Sequence, residues 1–245
     1  MLPLSDKRIE TLGHYTWLHD PIFADWLIAN LRDMGTSVLD VGSGTGFMLP
    51  KWQRIFERVI ALEPNHTAVD LMRKNAPKGV VVVQGTAERI DFPSKSIDLA
   101  VAKSSLHHFA DPTKAINEMH RVAVNAVAVI EVVAPSELAL RFAQNILCRK
   151  EPSRNPSSIY TDSALVALAG GVGGRTRALH FDQYIDVEIW LRHTDIESDQ
   201  ADELYHFIKE QPIAVKQDQQ IHLRSGRLMM LRRMALVICE KHLPW

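Results

Sequence analysis

Cysteine is almost absent: Cys148 and Cys239 are the only two in 245 residues. Two thiols so far apart give neither a disulfide framework nor a paired metal knuckle. A reducing cytoplasm is therefore the expected setting, with both side chains as small buried apolar groups. Charge of either sign is not in excess. The 28 basic and 29 acidic side chains leave a formal net charge of −1, so no global field recruits nucleic acid or an anionic membrane surface. Long apolar runs are missing as well. The longest, residues 122–133, is interrupted by Asn125 and Glu131, short of the roughly 20 residues that cross a bilayer as a helix. No basic segment followed by an apolar stretch opens the chain, so neither a secretory leader nor membrane insertion is expected. Internal repeats and low-complexity tracts are also lacking. The one basic concentration, Arg224, Arg227, Arg232 and Arg233, is diluted by Asp218 and Glu240. It reads as solvated surface, or as a site for an acidic substrate or partner, and is no nucleic-acid module.

What is present begins at Val38-Leu39-Asp40-Val41-Gly42-Ser43-Gly44-Thr45-Gly46. Val38, Leu39 and Val41 suit a parallel strand covered on both faces. The alternating glycines let the backbone turn sharply and approach a ligand with no Cβ in the way. Asp40 ends the strand where open α/β sheets bind ligands. A second strand, Arg58 to Glu63, ends in an acid about twenty residues after the glycines, which is a nucleotide-binding arrangement. A dinucleotide site wants G-x-G-x-x-G facing a pyrophosphate. This chain has G-x-G-x-G, with Phe47 at the third glycine of that fingerprint. The carboxylate of Asp40 would repel a pyrophosphate and suit a positive amino or sulfonium group. The bland alternative is a tight strand-to-helix turn that holds nothing.

Further strand-like runs follow: Val80 to Gly85 with Thr86-Ala87-Glu88 behind it, Ser96 to Ala102 after the turn-like Asp91-Phe92-Pro93-Ser94, and Asn125 to Val133. Between the last two lie a loop, Ser104-Ser105-Leu106-His107-His108-Phe109-Ala110-Asp111-Pro112, and a helix from Thr113 to Val122. Strands alternating with helices of about ten residues mean a parallel sheet with right-handed crossovers.

The order and wording of these pieces resemble the class I S-adenosylmethionine-dependent methyltransferases. They resemble most the type 11 small-molecule group typified by the ubiquinone and menaquinone C-methyltransferases. The matching residues are Asp40 to Gly46, Glu63-Pro64-Asn65, Gly85 to Glu88 with Phe92-Pro93, Ser96-Ile97-Asp98, and Leu106-His107-His108 with Asp111. They cover about residues 35 to 135. The resemblance implies an α/β, Rossmann-like class I methyltransferase fold: a seven-stranded, mostly parallel sheet with an antiparallel last strand and helices on both faces. It also implies S-adenosyl-L-methionine as cofactor. The backbone of Gly42, Ser43, Gly44 and Gly46 would pass beside its methionine and ribose. Asp40 would orient the amino group through water. Glu63, followed by Pro64, would accept hydrogen bonds from both ribose hydroxyls. Thr86, Ala87 and Glu88 would flank adenine, although many relatives carry Asp at the Thr86 position. Lys103 follows strand four, where a backbone carbonyl commonly meets the amino group; its own side chain points there or to solvent.

His107 and His108 are the tempting bases, since histidine titrates near neutrality. The resemblance favours a pocket-shaping role for them over an obligatory base. They lack the spacing of a helical two-histidine metal site, and no metal is expected.

Three regions organise one expected domain. Residues 1–34 are expected to form a helical cover: His14, Tyr15, Trp17 and His19 read either as a lid over a ligand or as ordinary packing, and a helix runs from Pro21 to Met34, capped by Asp20, with Ile22, Phe23, Trp26, Leu27 and Leu31 on one stripe. Residues 35–134 are the cofactor-binding half. Residues 135–245 are the substrate side. That side has a helix over residues 136–150, a proline- and serine-rich loop over 151–158 and a helix capped by Thr161 or Asp162 that ends at Gly170-Gly171. A strand over 175–181, helices over 186–193 and 199–210 and a final strand around 234–239 complete it. The resemblance puts that last strand antiparallel between strands five and six.

The expected protein is thus a cytoplasmic methyltransferase, monomer or homodimer, that methylates oxygen, nitrogen or carbon of a small-molecule acceptor and releases S-adenosylhomocysteine. Two readings compete with it: a silent S-adenosylmethionine-binding regulatory or interaction protein, and a nicotinamide-dependent oxidoreductase.

Overall fold

A computed structural model describes residues 21–150, 158–171, 174–192 and 196–241. The anticipated lid residues His14, Tyr15, Trp17 and His19 lie outside the described residues, as do Asp20 and most of the loop over 151–158.

The strands are β1 (Ser37–Val41), β2 (Arg58–Glu63), β3 (Val81–Gln84), β4 (Ile97–Lys103), β5 (Ala123–Ala134), β6 (Tyr160–Thr161), β7 (Arg175–Asp186), β8 (His222–Arg224) and β9 (Arg227–Glu240). Seven of them follow one hydrogen-bonded path, β3-β2-β1-β4-β5-β9-β7. β1 to β5 pair in parallel along this path, and the last strands are antiparallel. The final strand sits between the fifth strand and the strand at 175–186, as the family resemblance implies. Two short strands lie off the path: β6 on β5 and β8 on β9.

The chain divides into two compact units. Among the described residues the first comprises 21–131, 166–171, 174–179 and 236–241. Its helices are α1 (Pro21–Leu31), α2 (Leu49–Trp52), α3 (His66–Asn75) and α4 (Pro112–Val122). Register follows from apolar runs meeting side by side: Val38, Leu39 and Asp40 pair with Val59, Ile60 and Ala61 on one flank and with Leu99, Ala100 and Val101 on the other. All but Asp40 are apolar and buried, as expected for a strand covered on both faces. At the amino ends of β1 and β4, Asp98 Oδ2 accepts from the amides of Thr36 and Ser37 and from both hydroxyls. Burial raises its pKa, but these four donors together hold it below the ordinary value. The second unit, residues 132–165 and 180–235, holds α5 (Glu137–Lys150), α7 (Val187–Arg192), α8 (Ser198–Lys209) and α9 (Ile213–Asp218). The intervening α6 (Asp162–Gly170) starts where Thr161 Oγ1 accepts the Ala164 amide.

Three details correct the sequence reading. Ile22 is 69% exposed, so the buried stripe of α1 is Phe23, Ala24, Leu27 and Leu31. Cys148 is exposed, because it follows Leu147 on the outward side of α5; only Cys239 is buried. The sixth long strand runs to Asp186 instead of stopping near Phe181. The basic residues near the chain's end are split among acids: Arg233 forks onto Asp182 through two contacts of 2.7 Å, and Arg227 reaches Asp186 at 3.2 Å. Among the described residues no helix is long and apolar enough to cross a membrane.

Candidate functional site

β1 delivers its chain into a loop where Gly42, Gly44 and Gly46 all take positive φ. The amides of Gly42 and Ser43 both donate to the Leu62 carbonyl, at 2.8 and 3.1 Å, and Ser43 Oγ closes back on the Asp40 carbonyl at 2.8 Å. The loop is thereby tied to the end of β2. A Cβ at Gly42 would stand 2.6 Å from Ser105 Cβ, so protein fills that side. A Cβ at Gly44 would meet nothing within 4 Å. The loop presents bare backbone to open space at that one residue.

Two carboxylates flank the opening. Glu63, 5% exposed, accepts the Gly44 amide on Oε2 at 2.9 Å and the Asn65 amide on Oε1 at 3.0 Å. Burial pushes its pKa above the ordinary carboxylate range, against the pull of those two amides. Asp40, 3% exposed, accepts from the indole Nε1 of the fully buried Trp52 at 3.1 Å. Burial pushes Asp40 up to about 7, while the Trp52 hydrogen bond and the charge of Lys103 oppose it and Glu63 reinforces it. Lys103 therefore faces Asp40 electrostatically, and its Nζ lies 5.8 Å from the Phe23 ring centroid.

The third strand tip joins the same edge, since Gly85 N donates to the Glu63 carbonyl at 3.1 Å. Behind it Thr86 is exposed and Ala87 is 3% exposed. Pro64 accepts from Gln84 Nε2 through its carbonyl, and Asn65 Oδ1 caps α3 at the Ala68 amide. Glu88 Oε1 accepts the Ala110 amide at 2.7 Å and the Asp111 amide at 3.4 Å. It clasps the segment that follows the two histidines.

After β4 the chain turns through Ser104, a non-glycine residue at φ 52° whose amide donates to the Ile130 carbonyl at 2.7 Å. Such backbone strain persists where the surroundings over-determine it. Ser105 Oγ donates to the Val41 carbonyl at 2.8 Å, which anchors the loop to the end of β1. A 3-10 turn over Leu106–His108 follows. His107 Nδ1 lies 2.8 Å from Glu131 Oε2, and the His107 and His108 ring centroids are 4.2 Å apart. Glu131, 2% exposed, projects from β5. Its burial is outweighed by the charge and ring hydrogen bond of His107 and by the backbone amides of His107 and Leu106, which hold its carboxyl below the usual range.

The structure thus brings together Asp40, the glycine loop, Glu63, Gly85, Lys103 and His107 at the carboxyl edge of β1, β2, β3 and β4. Sequence reading missed Trp52, Ser105 and Glu131 as members of this neighbourhood. Glu131 had a signal, being a lone acid inside an apolar strand.

Comparison with known proteins bears on the domain and the fold. Residues 39–130 match the family model described as a methyltransferase domain. A 2-methyl-6-phytyl-1,4-hydroquinone methyltransferase of Oryza sativa is 36% identical over 97 residues, 38% of this chain and 28% of that protein. The uncharacterised methyltransferase YcgJ of Bacillus subtilis is 35% identical over 89 residues, 35% of either chain. The chain therefore spans well under half the length of these curated relatives. Its fold extends further: the crystal structure of YcgJ superposes with a TM-score of 0.78 at 18% identity, over 91% of this chain and 99% of that one.

Proposed function

We propose that this chain, a member of the class I S-adenosylmethionine-dependent methyltransferase superfamily by its domain and its fold, transfers a methyl group from S-adenosyl-L-methionine to a small-molecule acceptor. The observation that carries this reading is the open cradle at Gly44, flanked by two buried acids. A backbone amide at a gap that no side chain fills admits the flat sugar and tail of a nucleoside. Two carboxylates beside it suit a ligand with a cationic end and a vicinal diol, and would oppose a pyrophosphate.

In this reading Gly42, Ser43, Gly44 and Gly46 line the methionine tail and ribose. Glu63, with Pro64 behind it, takes the ribose hydroxyls on the lone pairs that Gly44 and Asn65 leave. Asp40 faces the ammonium group, held in place by Trp52. Thr86 and Ala87 flank adenine, and Lys103 contributes its backbone carbonyl. The bound sulfonium supplies an already activated methyl carbon. The protein's part is to hold the acceptor close and collinear, and positioning of this kind is worth about 7–11 kcal/mol. The hydroquinone named for the rice relative brings a phenolic ring to this chain as a candidate acceptor. We take the protein as cytoplasmic, monomer or homodimer, and working without nucleic acid.

The test is calorimetric titration with S-adenosylmethionine and S-adenosylhomocysteine, joined to incubation of labelled cofactor with a metabolite extract. Binding together with extract-dependent release of S-adenosylhomocysteine is the expected result. Binding without release would mark a silent binding protein. Binding of a nicotinamide dinucleotide in its place would mark an oxidoreductase.

A further inference from the structure

We infer that Glu131 positions His107 as the base that removes a proton from the acceptor, so that the acceptor is a protic nucleophile such as a hydroxyl or phenol. The inference rests on the methyl-transfer reading above and deepens it.

The argument starts with where Glu131 lies. Its neighbours in β5, Val129 and Ile130, are fully buried, and an acid at 2% exposure there is costly unless it is paired. The pairing is with His107 Nδ1 at 2.8 Å. Burial disfavours the charged carboxylate, but the ring hydrogen bond of His107 and the amides of His107 and Leu106 favour the ionised form of Glu131. An ionised carboxylate only accepts, so Nδ1 must carry the hydrogen. In a neutral imidazole that leaves Nε2 with the lone pair, the atom that takes a proton. The His108 ring, 4.2 Å away, braces the imidazole.

Placement is the second strand of the argument. His107 is two residues beyond Ser105, whose hydroxyl is bonded to Val41 and whose Cβ closes the space beside Gly42. The oriented imidazole therefore belongs to the loop that packs directly on the glycine turn. Its side chain keeps 18% exposure, enough to be reached from outside. Among the described residues Glu131 Oε1, buried, has no hydrogen-bond partner. A carboxylate kept only to satisfy the scaffold would use both oxygens, as Glu63 does.

The step balances simply. The acceptor's O–H proton passes to His107 Nε2, the oxygen's electron pair forms the new bond to the methyl carbon, and the carbon–sulfur pair returns to sulfur. Glu131 then faces an imidazolium. His107 is the catalytic residue, and Glu131 is a positioning residue.

Nitrogen NMR on histidine-labelled protein tests the arrangement without turnover. The His107 signals, assigned by their loss in His107→Gln, are expected to report hydrogen on Nδ1 and a bare Nε2. Glu131→Gln is expected to abolish that preference. In the labelled-cofactor assay with metabolite extract, His107→Gln and Glu131→Gln should each lower transfer about 100-fold or more. Both should keep S-adenosylhomocysteine affinity within about twofold, and added imidazole should restore part of the transfer to His107→Gly. Because His107→Gly leaves the buried Glu131 without its partner, circular dichroism melting checks that each variant is folded, and the tautomer of the unaltered protein tests the dyad whether or not they are. Hydrogen on Nε2, or an unchanged tautomer in Glu131→Gln, overturns the dyad. So does normal transfer by His107→Gln. Absence of S-adenosylhomocysteine binding by the unaltered protein overturns the methyl-transfer reading itself, a separate outcome.

Discussion

Glu63 holds two backbone amides at once, one from the glycine loop and one from the start of α3. Removing its carboxylate takes away both the proposed ribose contact and the tie that sets the loop. Glu63→Ala should weaken S-adenosylmethionine binding tenfold or more, because charged hydrogen bonds are worth about 1.5–3 kcal/mol each; an unchanged calorimetric titration removes Glu63 from the site. Asp40 has a different signature. Its pKa in the folded chain is raised from 3.8 to about 7, so the folded protein binds a proton that the unfolded chain releases within that window. The stability this contributes is fully present below the lower value and is lost as pH rises through the upper one. Without ligand, melting temperature should therefore decline from pH 5 to pH 8 more steeply in the unaltered protein than in Asp40→Asn. A cationic ligand beside Asp40 favours the carboxylate form. Binding at pH 7 should therefore release a proton, visible as titration heats that vary with the ionisation enthalpy of the buffer.

At the scale of elements, the glycine loop separates two kinds of substitution that the sequence does not distinguish. A Cβ at Gly46 would stand 2.7 Å from Leu49 Cδ1 and 2.9 Å from Met72 Cγ, inside packed protein. Gly46→Val should cost about 1–3 kcal/mol of stability by overpacking. Gly44→Val meets open space, so its cost is confined to the strain of a β-branched residue at φ 57°; its protein should stay folded and lose the ligand instead. Circular dichroism melting beside calorimetry checks both, and a normal titration by Gly44→Val would count against the cradle. This loop was legible because its information is contiguous: an apolar strand, alternating glycines, an acid ending the next strand. The same holds for β2, read to the residue, whereas the placement of the final strand came only through the family resemblance. What stayed hidden is non-local or weakly patterned. His107 and Glu131 are 24 positions apart and meet only because β4 and β5 are neighbours. Trp52 reads as a core aromatic until its indole is seen on Asp40. The far half of β7 reads as a strand end because Asp182, Gln183 and Asp186 interrupt its apolar residues. α9 lacks a side-chain cap and spans only six residues.

For the whole molecule, the candidate site draws every one of its described residues, Asp40 to Gly46, Glu63, Gly85 to Ala87, Lys103, His107 and Glu131, from the first compact unit. Ligand binding and core packing of that unit are then separable contributions to one stability. A ligand at 100 times its dissociation constant adds about 2.7 kcal/mol to the folded state, which for a chain of this size raises the melting temperature by about 5–10 °C. Leu99, fully buried in β4 between β1 and β5, contributes packing alone. Leu99→Ala should lower stability by about 2–5 kcal/mol and still show a ligand-induced rise. Glu63→Ala should differ in the ligand response: it frees two amides and so lowers the ligand-free melt as well, but most of the rise should be gone at the same S-adenosylhomocysteine concentration. Differential scanning calorimetry of the three proteins, with and without that ligand, reads both quantities. If Leu99→Ala abolishes the rise while Glu63→Ala keeps it, the ligand is held by something other than the edge formed by β1, β2 and β4.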